Sequence, residues 1–187
     1  MSEIAQRSGL NAALIRYYFG NKDGLLLALA KRDATISLRD LEHLVRMKLP
    51  AEQKMRIHIS GIINSYYRSP YLNRLLHYLI GDGETEAGRR IAEFFVQPMV
   101  DAQRAILRQG EVEGRFRPCD PGLFYFSVVG SCDHIFFAIS TLKHIIDPRG
   151  MTDELRQRYI AHVTELCLGG LLIANRGEPA GEVVATG

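Results

Sequence analysis

Ala12, Ala13, Arg16, Tyr17 and Lys22 are residues of this chain whose types and spacing suit one chemistry, contact with a nucleic acid. In the helix that the run AALIRYYF forms, Ala12, Ala13, Arg16 and Tyr17 fall largely on one side, free to face DNA, and Leu14, Ile15, Tyr18 and Phe19 on the other. An arginine so placed can donate two hydrogen bonds to the O6 and N7 of guanine, and an alanine can offer an apolar contact to a thymine methyl. Lys22 has a separate warrant, because a cation in the first turn of a helix opposes the helix dipole unless an anion such as a phosphate sits there too. The competing reading makes Tyr17 and Tyr18 core aromatics and Lys22 a solvated charge.

Other chemistries find less support. Six histidines are present, but none forms HExxH or another metal spacing, no GxSxG elbow occurs, and no glycine-rich phosphate loop follows a strand. An enzyme, a metal site and a bound cofactor are therefore not expected. Cys119, Cys132 and Cys167 are odd in number and form no CxxC pair, which argues against a disulfide framework; Cys132 and Cys167 read as core fillers. There is no signal peptide, and the longest apolar runs are too short to span a bilayer, so a cytoplasmic protein with no membrane partner is expected.

The elements that position the first group lie between Ile4 and Leu29. A short helix ends at Gly9, which can take the positive φ of a turn, and Asn11 caps a second helix; Ala5 allows a close helix crossing, and Ile15 seals the inner face. Asn21 then opens a further helix. The segment LIRYYFGNKDGLLLAL closely resembles the signature of TetR-type transcriptional regulators, over Ile4 to about Ala30. The resemblance implies that Asn11, Ala12, Ala13 and Arg16 lie at base edges in a major groove and Tyr17, Tyr18 and Lys22 against phosphates. Family members carry a complete helix ahead of this point. Here Met1 falls almost inside the first helix of the motif, so the helix-turn-helix is expected to be truncated, or its start misassigned, with Ile4, Leu10 and Phe19 short of apolar cover.

Charge is distributed in keeping with this. The 187-residue chain has 47% hydrophobic and 24% charged residues and a net charge of only +2, ordinary for a globular protein. Residues 1–32 hold five cations against Glu3 and Asp23, a surplus of three, so the positive excess lies at this end.

The rest of the chain reads as helix throughout, giving an all-α protein with three parts: a helix-turn-helix DNA-binding region over 1–30, a helical regulatory, ligand-binding and dimerisation domain over 31–176, and a disordered tail over 177–187. A strut runs from Lys22 to about Lys48, and Pro50 opens the next helix. Ser69-Pro70 and the GDGE run at Gly81 bound a short helix. A stretch from about Thr85 to Gly110 must kink or break near Val96 because of Pro98, and EVEGRFRPCDPG is a loop. Asp120 caps a helix to about Ile146, and Thr152 one to about Asn175.

These last two helices are apolar on more than one face, so one face needs a partner or a central place in a monomer. The TetR resemblance implies a homodimer through helices 120–147 and 152–175, which form a four-helix bundle at a two-fold axis and set two recognition helices against a palindromic operator in double-stranded DNA. It also implies a small-molecule effector pocket. Its candidate lining residues are His58, Tyr66, Tyr67, His77, Tyr78, Phe94, Phe95, Asp133, His134 and Phe137, polar or aromatic positions on otherwise apolar helices. Asp133 stands out, since a buried carboxylate needs a ligand cation, an internal hydrogen bond or a contact across the dimer. The expectation is a repressor released from its operator by the effector; the alternative is a dimeric helical sensor or interaction protein with impaired DNA binding.

Overall fold

In the computed structural model, residues 2–81 and 85–173 are described. Ten α-helices follow one another among them: α1 (Ser2–Ser8), α2 (Ala12–Phe19), α3 (Lys22–Arg46), α4 (Ala51–Arg68), α5 (Pro70–Gly81), α6 (Glu86–Ile91), α7 (Gln97–Val112), α8 (Pro121–Phe137), α9 (Ile139–Ile145) and α10 (Asp153–Leu171). The only β-type pairing among the described residues is an isolated antiparallel bridge between Phe116 and Leu172. The 177–187 tail and most of the GDGE break lie outside the described residues.

Local chemistry accounts for most of the boundaries. Gly9 turns the chain at φ 69°, and the side chain of Asn11 accepts from the Ala13 N–H at 2.8 Å to start α2. Asn21 caps α3 in the same way through the Gly24 N–H at 2.9 Å. Gly24 also lies so close to the end of α2 that a Cβ there would fall 2.0 Å from the Phe19 carbonyl oxygen. This position admits no side chain. Pro50 stands one residue ahead of α4, with the Ala51 N–H held by the Glu113 carboxylate at 2.9 Å.

The break near Val96 takes the form of a π-helical turn over Ala92–Val96. Pro98 lacks the N–H that would meet the Phe94 carbonyl, and the wider winding, in which the Gln97 N–H reaches the Ala92 carbonyl, absorbs the mismatch.

Three boundaries differ from the sequence expectation. The helix from Asp120 does not run on to Ile146: Ala138 leaves the helical region at ψ 39°, and α9 departs from α8 at 75°, burying Leu142. The final helix stops at Leu171 rather than Asn175, because Leu172 is extended and pairs with Phe116, while the Ile173 N–H bonds the Arg115 carbonyl at 3.0 Å. The 111–122 loop starts later than expected, since α7 continues to Val112.

The core lies around α4, which packs against α3, α5, α7, α8 and α10, with Met55, Ile59 and Ile63 fully buried. The long α3 joins this body to the N-terminal pair, in which α1 packs on α2 and α2 on α3. Within α1 and α2 only Ala5 and Ile15 are buried among the described side chains, whereas Ile4, Leu10, Leu14 and Phe19 are exposed.

Candidate nucleic-acid interface and ligand cavity

The second helix of the N-terminal pair, α2, carries the residues read from sequence as a DNA-contacting face. Ala12, Ala13, Arg16, Tyr17 and Tyr18 are all exposed. Tyr17 is 82% and Tyr18 70% exposed, so the reading that makes them core aromatics does not fit their placement; the two rings meet edge to face with centroids 5.3 Å apart. Arg16 has neither an ion pair nor a side-chain hydrogen bond among the described residues, which leaves its five N–H donors available. Asn11 spends its carbonyl oxygen on the cap but retains its amide N–H groups. Lys22 sits at the first position of α3, where its ammonium lies 5.3 Å from the centre of the Tyr78 ring. A cation–π contact therefore holds it without excluding an anion on its outer side.

Tyr78 does not reach the cavity described next. It stands on α5, half exposed, and its hydroxyl donates to Asp23 at 3.2 Å. One turn pair earlier on the same helix, the Tyr71 hydroxyl bonds Asp33 and accepts from Arg32 at 3.3 Å. Both tyrosines thus tie α5 to the first half of α3.

The second half of α3 is one wall of a mostly apolar cleft of about 270 Å³. Ser37, Asp40, Leu41 and Leu44 form that wall; Ile57 to Arg68 of α4 form the opposite one; and Leu72 of α5, Phe95 of the π-turn and Met99 of α7 form the floor. Of the residues singled out from sequence, His58, Tyr66 and Phe95 come together here. His58 is buried, its Nε2 is 2.9 Å from the Gln103 amide nitrogen, and burial lowers its pKa to about 4, so the ring is neutral. Tyr66 packs against Phe136 at 5.9 Å, and burial pushes its hydroxyl well above the usual tyrosine range.

The remaining sequence candidates are elsewhere. His77 and Asp133 pair at 2.7 Å between α5 and α8, with the Phe137 ring 4.7 Å from His77 and 6.4 Å from His134. That contact supplies Asp133 with its partner inside the chain. Tyr67 lies under the Arg156 guanidinium at 4.4 Å, and Phe94 under Lys31 at 5.2 Å. The α3 wall had a visible sequence signal, since Leu41 and Leu44 keep the apolar spacing of the strut; only the antiparallel packing of α4 turns that stripe into a cleft.

A separate apolar surface runs along α8 and α10. Leu123, Phe126 and Phe137 of α8 and Leu166 of α10 are exposed, and a Cβ built on Gly130, Gly169 or Gly170 would meet nothing within 4 Å. No single helix among the described residues is long and apolar enough to cross a membrane; the bent α8–α9 pair passes on length and composition together. Among the described residues no group of three or more His, Cys, Asp or Glu side chains is placed to hold a metal ion.

Residues 1–29 match the model of the tetR family of bacterial regulatory proteins, and residues 48–178 match that of the tetracyclin repressor-like C-terminal domain. No curated protein matches the chain. Among solved structures, FadR from Bacillus subtilis, a transcriptional regulator determined in complex with stearoyl-CoA, aligns over 90% of this chain and 87% of its own at 21% identity and a TM-score of 0.72. A tetR-family regulatory protein from Rhodococcus RHA1 aligns over 93% and 86% at 17% identity and 0.72. The fatty acid degradation regulator FadR from Bacillus halodurans aligns over 91% and 87% at 20% identity and 0.71. At these identities the likeness is one of fold.

Proposed function

Because this chain belongs to the TetR family of DNA-binding transcriptional regulators, we propose that it is a repressor whose homodimer occupies a palindromic operator and is released by a small molecule. The observation that carries the reading is the exposed face of α2, with Arg16 unpaired among the described residues and Tyr17, Tyr18 and Lys22 beside it. Asn11, Ala12, Ala13 and Arg16 take base edges and the other three take phosphates. Residues 1–30 act as the reader and 31–176 as the regulatory body, in the cytoplasm, where the DNA lies.

The apolar surface of α8 and α10 supports the dimer. Two copies joined there about a two-fold axis give an isologous four-helix contact, with the small residues at Gly130, Gly169 and Gly170 allowing close approach. Repression then requires the paired α2 helices to sit about one DNA turn, roughly 34–36 Å, apart. The cleft can control that spacing. Its α3 wall belongs to the same 25-residue helix that carries the reader, a rod of about 37 Å, so a small tilt at Leu41 and Leu44 is magnified at Lys22. Leu72 on the floor belongs to α5, whose Tyr71 and Tyr78 grip the first half of α3.

Exposed Ile4, Leu10, Leu14 and Phe19 favour a second reading, a dimeric sensor with impaired DNA binding. Selection from a randomised duplex pool at two salt concentrations separates the two. Enrichment of a palindrome, with affinity falling steeply as salt rises, supports the repressor; binding too weak to enrich any sequence at either concentration supports the sensor.

A further inference from the structure

The cleft between α3 and α4 is lined along α4 from Ile57 to Arg68, about 16 Å of helix. Its volume of about 270 Å³ falls just under the roughly 300–1,000 Å³ of ordinary ligand pockets, so a slim molecule fits and a bulky one does not. Leu41, Leu44, Ile62, Leu72, Phe95 and Met99 supply an apolar interior.

The buried end has unspent hydrogen-bonding capacity. The Gln103 amide N–H donates to His58 Nε2, which puts the ring proton on Nδ1, and Nδ1 has no partner among the described residues. Gln103 is fully buried behind the ring and does not line the cleft, so its unpartnered amide oxygen is not open to a ligand. Turning the amide over would reverse the roles and leave Nδ1 an acceptor. A hydroxyl satisfies either arrangement, and a carbonyl satisfies the first. A charged head meets no charged lining residue beside the neutral His58 ring: the buried Lys54 one turn earlier is held by the Val45 carbonyl and Gln109 and does not line the cleft, and the charged lining residues, Asp40 and Arg68, are exposed and opposite in sign. Gly61 opens the α4 wall, since a Cβ there would meet nothing within 4 Å.

Building on the ligand-responsive reading above, we propose that the cleft binds a slim, uncharged, mostly apolar molecule with one hydroxyl or carbonyl oxygen, hydrogen-bonded to His58 at the buried end. A medium-chain alcohol or ketone is the class. Desolvating a carboxylate beside a neutral ring and apolar walls costs several kcal/mol, whereas an alcohol loses little when its oxygen is paired.

Calorimetric titration of the full chain with octanol, octanone, octanoate and octanoyl-CoA tests this. Octanol binds saturably at one site per chain and at least about tenfold tighter than octanoate, in keeping with the cost of burying an unpaired charge. Gly61→Leu fills the cleft and removes octanol binding, while the better helix former keeps thermal stability at or above that of the parent. His58→Phe lowers octanol affinity by about two- to tenfold, the worth of one hydrogen bond. Octanoate or octanoyl-CoA binding as tightly as octanol, no binding of octanol or octanone, or full binding by Gly61→Leu would each overturn the proposal. DNA binding measured on the same preparation separates the two levels. If octanol binds and DNA does not, the ligand class stands and the repressor fails; if DNA binds and octanoate is the tighter ligand, the repressor stands and the class fails.

Discussion

The two ends of α3 sit in opposite environments. At its start, α1 and α2 bury only Ala5 and Ile15 among the described side chains and present an aromatic and cationic face to solvent. At its far end the helix walls a cleft, beside α4 residues that are fully buried. The contrast teaches that the reader depends on exposed side chains held by a few tight junctions, and the body on close packing around a space left open. A substitution should therefore act on recognition at one end and on stability at the other.

Gly24→Ala should separate the two most sharply. Its Cβ would meet the Phe19 carbonyl oxygen at 2.0 Å, forcing α2 away from α3. Sequence-specific DNA binding should be lost in an anisotropy titration, while the cooperative urea transition of the body remains. If DNA binding survived, the rigid α2–α3 junction would not matter to recognition.

Packing gives the next largest effect. Ile59 is fully buried in α4, so Ile59→Ala should cost about 2–5 kcal/mol in urea unfolding. Leu14, 48% exposed on α2, should cost less than about 0.5 kcal/mol when changed to Ala. Equal losses at the two positions would erase the contrast.

The buried His58 gives the body an acid response that residues 1–30, which contain no histidine, do not share. Burial lowers the pKa of His58 from 6.5 to about 4, so between these values the unfolded chain binds the extra proton. The stabilisation is therefore fully present above about pH 6.5 and is lost as pH falls towards 4, by at most about 3 kcal/mol. Unfolding titrations of the parent and of His58→Phe should show a steeper acid loss in the parent.

Lys22→Ala should have the smallest effect. As the proposed phosphate contact, Lys22 should act at all sequences alike, its loss lowering the salt slope of DNA binding by about one unit, with a minor loss of stability from the contact with Tyr78.

How far the sequence revealed each end follows from the same difference. The N-terminal stretch was legible because its signals are local: the Asn11 and Asn21 caps, the Gly9 turn and the YYF cluster each act within a few residues. The helical order of the body was equally readable from apolar spacing and proline positions. The cleft was only partly so. His58, Tyr66 and Phe95 stood out as polar or aromatic residues on apolar helices, but nothing local distinguishes them from His77, Asp133 and Phe137, which pair with one another outside it. Ser37 and Asp40 carry no sign of their place, which depends on the way α4 returns along α3. The bend at Ala138 and the Phe116–Leu172 bridge also escape a periodicity reading, the first because neither Pro nor Gly stands at the bend, the second because its residues are far apart in the chain.

The most direct test of the account is an anisotropy titration of an enriched duplex and a scrambled one with the parent chain and Arg16→Ala. Arg16→Ala should lose about 1–3 kcal/mol, roughly five- to 150-fold, on the enriched duplex, and far less on the scrambled one. Equal affinity of the two proteins for both duplexes would contradict the account, because the exposed face of α2 would then not be what reads the DNA.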